Sequence, residues 1–340
     1  MSVYLFDGLT LALRIMWKSG VSIEHGDTKI ILDPQNNRLG HTPVFITHAH
    51  LDHSRAFGID HIPKYSTEAT RDLAASYGLQ AENWQPLVAN KKVSVDGIDI
   101  VARNSGHVLG SCEFEIITPE ASILYTGDFN TEYTKTMEPA EPVPCDILIV
   151  ESTFGVPNFV FPSEDQIGKD MVDWTERILK TGKTPVFQTD YLGNAQEVVR
   201  IFNESTDIPV VTHQKVSRIN RIYESHGHKL DYIDAEADEA EELAASGNHI
   251  FITPKQFNVQ NHPEMVPALV SGWALWAKHK AFPLSDHADF THLMRFVEDC
   301  EPEIVLTCHS GMFGETLARY VEKELKIRAY PIHLIPTNIL

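Results

Sequence analysis

One cluster of metal-capable side chains constrains this chain more than any other feature: His48-Ala49-His50-Leu51-Asp52-His53. It follows an apolar run, residues 44–47, that predicts a short buried strand. Imidazole nitrogen and carboxylate oxygen suit zinc and similar borderline cations. In an extended loop the first and third residues face one way, while Asp52 and His53 can turn toward a second ion. The spacing therefore predicts two neighbouring metal ions that share one loop.

Length, charge and cysteine usage bound the class of protein. The 340 residues suit one large domain or two intimate ones, and 43% hydrophobic residues can build a real core. The formal net charge of −19 argues against a broad basic surface for duplex nucleic acid. Cys112, Cys145, Cys300 and Cys308 form no close pair, so we expect reduced thiols.

The start of the chain does not have the pattern of a signal peptide. No run reaches the ~18 apolar residues that spanning a bilayer requires. We therefore expect no membrane association and a cytoplasmic location.

Four further polar residues stand near the ends of predicted strands. Asp33, before a proline, is either a turn former or an acceptor that orients a ligand histidine. His107 lies in a loop with glycines, which let a backbone approach an ion closely. Asp128 can bridge two ions through its two oxygens, or can simply be a turn aspartate beside a glycine. Glu151 ends an apolar strand.

The pattern changes after residue 155 and again near residue 284, which predicts a second α/β unit between them. This part contains two βα repeats and a helix with an apolar stripe at steps of four, three and four, beginning at Ile167. Residues 257–267 are predicted as loop and short helix. Trp273, Trp276 and Phe282 are predicted to be core residues, with stacking on nucleic-acid bases as the alternative.

Taken together, these motifs resemble those of the β-CASP branch of the metallo-β-lactamase superfamily, whose members are nucleases acting on RNA or DNA. The matching positions, in chain order, are Asp33, residues 48–53, His107, Asp128, Glu151, His287 and His309. The resemblance implies an α/β fold, a metallo-β-lactamase αββα sandwich with an inserted, smaller α/β cap. The implied domains are residues 1–155 and 285–340 for the sandwich and 156–284 for the cap. The cap is short for the family.

The resemblance also implies the roles of the site residues. One ion would be held by His48, His50, His107 and Asp128. The second would be held by Asp52, His53, Asp128 and His309. Both ions are expected to be Zn²⁺, with Mn²⁺ as the alternative.

His287 is the implied general acid, and Glu151 is the residue that orients it. Asp52 and Asp128 count as catalytic residues as well as ligands, and Asp33 would support a ligand histidine. Ser285 and Asn194 are weaker candidates for contacts with substrate phosphate.

The resemblance bears on substrate in two directions. A histidine at the position of His309 is typical of members that act on RNA. Residues 284–289, however, also resemble bacterial ligase-associated DNA exonucleases, and the arginine of a Gly-Arg-Ala-Gln-Glu motif is replaced by Asn194. We therefore expect a nuclease for single-stranded nucleic acid, with RNA favoured over DNA, acting endonucleolytically or from the 5′ end.

Two other functions stay open as alternatives. One is a small-molecule metallo-hydrolase of the lactonase or β-lactamase kind, and the other is a non-catalytic scaffold. The presence of His287 and Glu151 speaks against the first, and the complete ligand set speaks against the second. A homodimer is compatible with the sequence.

Overall fold

The computed structural model describes residues 2–7, 10–18, 20–37, 39–309 and 311–335. The strands within these ranges are β1 (Ser2–Asp7), β2 (Thr10–Trp17), β3 (Val21–His25), β4 (Thr28–Leu32), β5 (Val44–Phe45), β6 (Lys64–Ser66), β7 (Trp84–Pro86), β8 (Lys92–Val95), β9 (Ile98–Asn104), β10 (Cys112–Ile117), β11 (Ser122–Tyr125), β12 (Ile147–Glu151), β13 (Thr184–Thr189), β14 (Val210–Thr212), β15 (Ile233–Asp234), β16 (Ile250–Pro254), β17 (Met265–Val270), β18 (Ala281–Phe282), β19 (Ile304–Cys308) and β20 (Arg328–Pro331). The α-helices are α1 (Leu51–Ser54), α2 (Glu68–Ser76), α3 (Glu164–Leu179), α4 (Asn194–Ser205), α5 (Gln214–Ser225), α6 (Asp238–Ser246), α7 (Phe290–Asp299) and α8 (Met312–Tyr320).

The chain forms two compact units. The larger unit comprises residues 1–132, 138–160 and 287–340, and the smaller unit comprises residues 133–137 and 161–286. Each unit has its own sheet or sheets and its own packing. Our division into domains at residues 155 and 284 stays a prediction.

The larger unit contains two seven-stranded sheets. Their strand orders are β1-β2-β3-β4-β5-β6-β7 and β20-β19-β12-β11-β10-β9-β8. Apolar side chains at alternating positions of both sheets form one continuous core, because alternate residues of a strand point to the same face. Members of this core from the two sheets are Ile15, Ile23, Ile30, Phe45, Ile100, Phe114, Ile123 and Ile149.

Helices cover the outer face of each sheet. Phe57 and Ala74, from the segment around α1 and α2, pack with Val44 and Ile46 of the first sheet's strand β5 and its extension. On the second sheet, α7 and α8 pack onto β12 and β19 through the buried residues Phe296, Leu317, Leu148 and Val305. The order of layers is helix, sheet, sheet, helix, so the predicted αββα sandwich is confirmed.

The smaller unit is built on a six-stranded sheet with the order β15-β14-β16-β13-β17-β18. All its neighbouring strands are parallel. The predicted stripe of α3 is confirmed, since Ile167, Met171 and Trp174 are buried. Trp174 packs edge-on against Phe187 of β13 at 5.4 Å between ring centroids. The α/β cap that we predicted is therefore confirmed as a parallel-sheet unit.

Two local predictions in this unit are wrong. Part of the segment predicted as loop, residues 265–267, begins strand β17, because it pairs with β13 near the middle of the sheet. Trp273 and Trp276 are not core residues, since they are 41% and 54% exposed, whereas Phe282 is buried as expected. Both tryptophans lie on a short 3₁₀ turn, Gly272–Trp276, that leaves the sheet edge between β17 and β18.

No helix among the described residues is long and apolar enough to cross a membrane.

Candidate metal centre

The predicted ligands of the larger unit come from loops that follow strands. His48 follows β5 and leads into α1, His107 lies between β9 and β10, and Asp128 follows β11. Glu151 is the last residue of β12, and His309 directly follows β19. Because β11, β12 and β19 are adjacent and parallel, the residues at their carboxyl ends meet at one edge of the sheet.

The Asp128 carboxylate is the point on which the histidines converge. Its Oδ2 atom lies 3.5 Å from Nε2 of His48, 3.5 Å from Nε2 of His53 and 3.8 Å from Nε2 of His107. Its Oδ1 atom lies 3.8 Å from Nδ1 of His309. Oδ2 thus faces three imidazoles and Oδ1 faces a fourth, so this one carboxylate lies close to all of them, as expected for a residue shared between two cations.

Among the described residues, three overlapping groups of potential ligand atoms contain Asp128, two made of predicted metal ligands and a third made of Asp128, Glu151 and His287. In each group every ligand atom lies within 4.8 Å of the others. The first group is His48, His50, His107 and Asp128, and the second is His53, Asp128 and His309. Most of these side chains are buried, so water cannot easily replace a missing partner.

Asp33 fixes the orientation of the first histidine through Thr47. The Thr47 hydroxyl donates to Asp33 Oδ2 at 2.6 Å, so toward Nδ1 of His48, at 2.9 Å, it acts as an acceptor. Nδ1 of His48 therefore carries the proton, and the Nε2 lone pair points at Asp128. Among the described residues, this buried Nε2 atom has no hydrogen-bond partner. An imidazole locked in this tautomer with an orphaned acceptor nitrogen is what a metal ligand requires.

Asp33 orients the second histidine directly. Its Oδ2 atom lies 2.9 Å from Nδ1 of His53 and also accepts the hydroxyl of Tyr125 at 3.0 Å. The same Tyr125 hydroxyl lies 3.2 Å from Nε2 of His309, so it links Asp33 to the far side of the second group. Asp33 has a positive φ of 44° and His309 one of 76°. Such backbone strain at non-glycine residues costs on the order of 1–3 kcal/mol and is typical of functional sites.

The protonation pattern of the site also suits cations. Burial, together with the nearby His53, lowers the pKa of His48 well below its usual value and lowers that of His309. Burial opposes a charge on His53, but Asp128 and Asp33 outweigh it and raise its pKa to about 10. Burial likewise opposes the Asp128 carboxylate, yet the imidazoles around it, with His53 foremost, hold its pKa well below the usual range. The positive charge of protonated His53 thus stabilises the Asp128 carboxylate as a bound cation would.

The residues present fit a metal ion on these observations. Neutral imidazole nitrogens and a shared carboxylate converge, and borderline divalent cations prefer such donors. The buried histidine and aspartate groups therefore suit a metal site.

A histidine–carboxylate pair lies beside the metal ligands. Nδ1 of His287 lies 2.9 Å from Oε1 of Glu151, and this oxygen also accepts the backbone N–H of Phe129 at 2.9 Å. Because a carboxylate only accepts hydrogen bonds, Nδ1 of His287 carries a proton, and Nε2 is the ring nitrogen that takes no part in this hydrogen bond. The His287 ring lies 4.5 Å from that of His107, between centroids.

Three predicted site residues stand apart from these clusters. Asp52 lies 3.7 Å from His53 Nε2 but its side chain is 67% exposed, and it belongs to neither ligand group. Ser285 and Asn194 lie in the smaller unit, where Asn194 is buried at the start of α4. The roles of all three stay predictions.

Thr47 and Tyr125 are functional-site residues that sequence reasoning missed. Both connect to Asp33 and to a ligand histidine. The only sequence signal was their position, since Thr47 immediately precedes the histidine loop and Tyr125 ends a strand just before Asp128. Hydroxyl side chains are common at strand ends for purely structural reasons, so only the folded geometry reveals these partners.

Gly127 permits the close approach of two loops at the site. Its φ is 55°, and a Cβ atom added there would lie 2.7 Å from Cγ2 of Thr47. Any larger residue would push Thr47 away from its contacts with Asp33 and His48.

Comparison with known proteins places this geometry in a group of related chains. No family model matches the chain. A probable DNA ligase of Opitutus terrae is 30% identical over 287 residues, covering 80% of this chain and 27% of that protein. An RNase J-like protein of Methanocaldococcus jannaschii is 25% identical over 239 residues, covering 63% of this chain and 56% of that protein. The chain thus spans less than two thirds of the length of either relative.

A solved structure shares the fold. The crystal structure of a protein of unknown function from Enterococcus faecalis matches 99% of this chain and 96% of its own with a TM-score of 0.63. At 16% identity this likeness shows the fold alone.

The αββα sandwich, the additional parallel-sheet unit and the histidine–aspartate groups define a protein of the metallo-β-lactamase class. Several of the relatives found by sequence have the names of ribonucleases. These similarities agree with the resemblance of the motifs in this chain to the β-CASP branch of the metallo-β-lactamase superfamily.

Proposed function

We propose that this chain is a metal-dependent nuclease that hydrolyses phosphodiester bonds of single-stranded nucleic acid, with RNA as the favoured substrate. The observation that carries the proposal is the convergence of His48, His53, His107 and His309 on the two oxygens of Asp128. The name of the RNase J-like relative supports the choice of RNA.

We assign two Zn²⁺ ions to the site, with Mn²⁺ as the alternative metal. The residues of the first ligand group would hold one ion, and those of the second group, with Asp52, would hold the other. When bound, a pair of divalent cations supplies an activated water at neutral pH and neutralises charge on a phosphodiester. Asp33 and Thr47 orient the imidazoles that this chemistry needs.

His287 supplies the proton that the leaving oxygen requires. Its Nδ1–H is donated to Glu151, which leaves Nε2 to hold and release a proton toward the substrate. Glu151 is itself held by the backbone N–H of Phe129, so the ring cannot rotate away without losing its hydrogen bond to a fixed acceptor. Ser285 and Asn194 remain our candidates for contacts with substrate phosphates.

A DNA nuclease is the second candidate function. The relative from Opitutus terrae, which is 30% identical and matches 80% of this chain, is named a probable DNA ligase. Residues 284–289, which include His287, also resemble the corresponding segment of ligase-associated DNA exonucleases. The same metal ligands and the same general acid would serve both substrates, so the choice depends on how the sugar is recognised.

The decisive experiment compares wild type with His48→Ala and with the matched control His333→Ala, a substitution at an exposed histidine. Metal content is measured by mass spectrometry, and end-labelled single-stranded RNA and DNA are followed with time. We expect two zinc ions per wild-type and control chain, and loss of metal and of cleavage in His48→Ala. Cleavage of DNA alone would favour the second candidate. Hydrolysis of a chromogenic lactam without cleavage of either nucleic acid would contradict both.

We also propose a cytoplasmic location and leave the homodimer as an accompanying hypothesis. The four cysteines are free and buried, which is in keeping with a reducing compartment. Cell fractionation and native mass spectrometry would test the two points.

A further inference from the structure

Two exposed tryptophans stand out on the smaller unit. Trp273 and Trp276 are 41% and 54% exposed, and their rings lie 5.8 Å apart between centroids at an angle of 57°. Large aromatic side chains are rarely left exposed as neighbours unless they bind something. The proposed substrate has flat, apolar bases, which stack on aromatic rings.

The tryptophans are presented by a firmly anchored connection. They lie between the parallel strands β17 and β18, and the N–H of Ser271 donates to Phe282 O at 3.1 Å while the N–H of Leu269 donates to Lys280 O at 3.0 Å. Both ends of the connection are thus fixed to the sheet. Rings held in this way lose little conformational freedom on binding, which favours affinity.

The same connection is locally basic in an acidic protein. The chain as a whole has 47 acidic against 28 basic residues, yet residues 265–285 include Lys278, His279, Lys280 and no acid. Lys278, His279 and Lys280 are all exposed. Charge of this sign next to aromatic rings complements a chain of phosphates with attached bases.

Lys280 packs over an aromatic ring at the edge of the sheet. Its Nζ lies 4.0 Å from the ring centroid of Phe282, which fixes the side chain against the sheet edge. Burial, together with the neighbouring Arg177 of α3, lowers the pKa of Lys280, while Asp170 acts in the opposite direction.

We propose that Trp273, Trp276, Lys278 and Lys280 form a binding platform for single-stranded nucleic acid, with bases stacked on the indoles and phosphates at the lysines. This choice of ligand depends on the nuclease function proposed above. RNA and DNA share the chemistry that the platform recognises, so both are tested.

The test measures binding of fluorescein-labelled RNA and DNA oligomers by anisotropy, using the full chain with His287→Ala to prevent cleavage. Trp273→Ala and Trp276→Ala should each weaken binding by about fivefold to a hundredfold, the range for loss of one stacked base. Leu275→Ala is the matched control, because Leu275 is 38% exposed on the same turn but has no ring. It should keep the parent affinity. Melting temperatures verify that each variant is folded.

Two further measurements separate stacking and charge. Binding should quench tryptophan fluorescence, and the quenching should be lost when Trp273 and Trp276 are both replaced by phenylalanine. Replacing Lys278 and Lys280 by glutamine should reduce the slope of log affinity against log salt by about 0.7 for each phosphate that the variant no longer neutralises.

Several results would overturn the platform. The first is unchanged oligomer binding in both tryptophan variants, and the second is an equal loss of oligomer binding in Leu275→Ala. The third is that the tryptophan variants lose self-association of the protein and keep nucleic-acid binding, which would identify the patch as an interface between copies of the chain. Cleavage assays with the chain that keeps His287 distinguish the platform proposal from the nuclease proposal. Cleavage by wild type with unaffected binding by the variants would reject only the platform. Binding that depends on the tryptophans without any cleavage by wild type would reject only the nuclease.

Discussion

Nδ1 of His287 lies 2.9 Å from Oε1 of Glu151, so the buried carboxylate holds one edge of the imidazole and directs the other edge away. We assign proton transfer to this ring and metal binding to the other histidines of the site. This separation of roles can be tested because the two functions have different readouts.

We predict that His287→Ala retains its metal but loses turnover. General acid catalysis contributes about 10²–10⁴-fold to rate, and kcat should fall by a factor in that range. Glu151→Gln should give a smaller fall in kcat and a shifted pH profile of kcat, because the amide is uncharged and no longer offers His287 an anionic acceptor. Rates from end-labelled oligomers and metal content by mass spectrometry check both points. A loss of bound zinc in His287→Ala would contradict the assigned role.

Asp33→Asn should weaken metal binding without removing a ligand. Asp33 contacts Thr47, His53 and Tyr125, and residues that orient metal ligands typically contribute 10–100-fold to metal affinity, so we expect a fall of about that size. Asparagine tolerates the positive φ of 44° at this position, so backbone strain is not the cause. Tyr125→Phe, which deletes one hydroxyl, is the matched variant and should have a smaller effect. Competition with a chromophoric chelator measures the affinity, and equal affinity in wild type and Asp33→Asn would reject the role of Asp33.

Gly127→Ala should destabilise the larger unit more than Gly26→Ala does. The two glycines have nearly equal φ angles, 55° and 57°, so both substitutions carry the same left-handed backbone penalty of about 1–2 kcal/mol. A Cβ at Gly26 meets nothing within 4 Å, whereas one at Gly127 would lie 2.7 Å from Thr47. Urea unfolding gives the free energies, and chelator competition should show weaker metal binding for Gly127→Ala only. Equal free energies of unfolding would contradict the crowding that the structure shows.

A pair of neighbouring carboxyl groups, Glu197 buried and Glu164 half-buried, makes the stability of the smaller unit depend on pH. Glu197 accepts hydrogen bonds from the backbone N–H and hydroxyl of Thr136, and burial, with Glu197 nearby, raises the pKa of Glu164 to about 9. Because the folded-state pKa lies above the ordinary value of 4.5, the stabilisation is fully present below pH 4.5, declines as the pH rises, and is lost once the pH has passed about 9.

Glu164→Gln should therefore flatten the decline of melting temperature between pH 4.5 and about pH 9, since the amide can donate to Glu197 but does not titrate. Asp165→Asn is the matched control, because the Asp165 side chain is 91% exposed. Scanning calorimetry between acidic and alkaline buffers makes the comparison. If wild type and Glu164→Gln gave profiles of the same shape, the raised pKa of Glu164 would be contradicted.

The sequence alone was sufficient for the features that depend on local spacing. The six residues from His48 to His53 already indicate metal ligation, because four potential ligands on one loop have few other uses. Periodicity alone predicted the buried stripe of α3 and the α/β character of residues 156–284. The motif resemblance, which depends on order along the chain, supplied the sandwich and the roles of His287 and Glu151.

Only the tertiary structure decided which side chains meet and which reach solvent. Asp33 and Tyr125 are far apart in sequence, yet they share a hydrogen bond because their strands pack face to face around one core. The side chain of Asp52 is largely exposed although it lies within the histidine motif of residues 48–53. Trp273 and Trp276 are exposed although the spacing of the aromatic residues predicted them in the core. Local pattern specifies what a residue can do, whereas its neighbours and its burial depend on contacts between distant segments, and those form only when the chain folds.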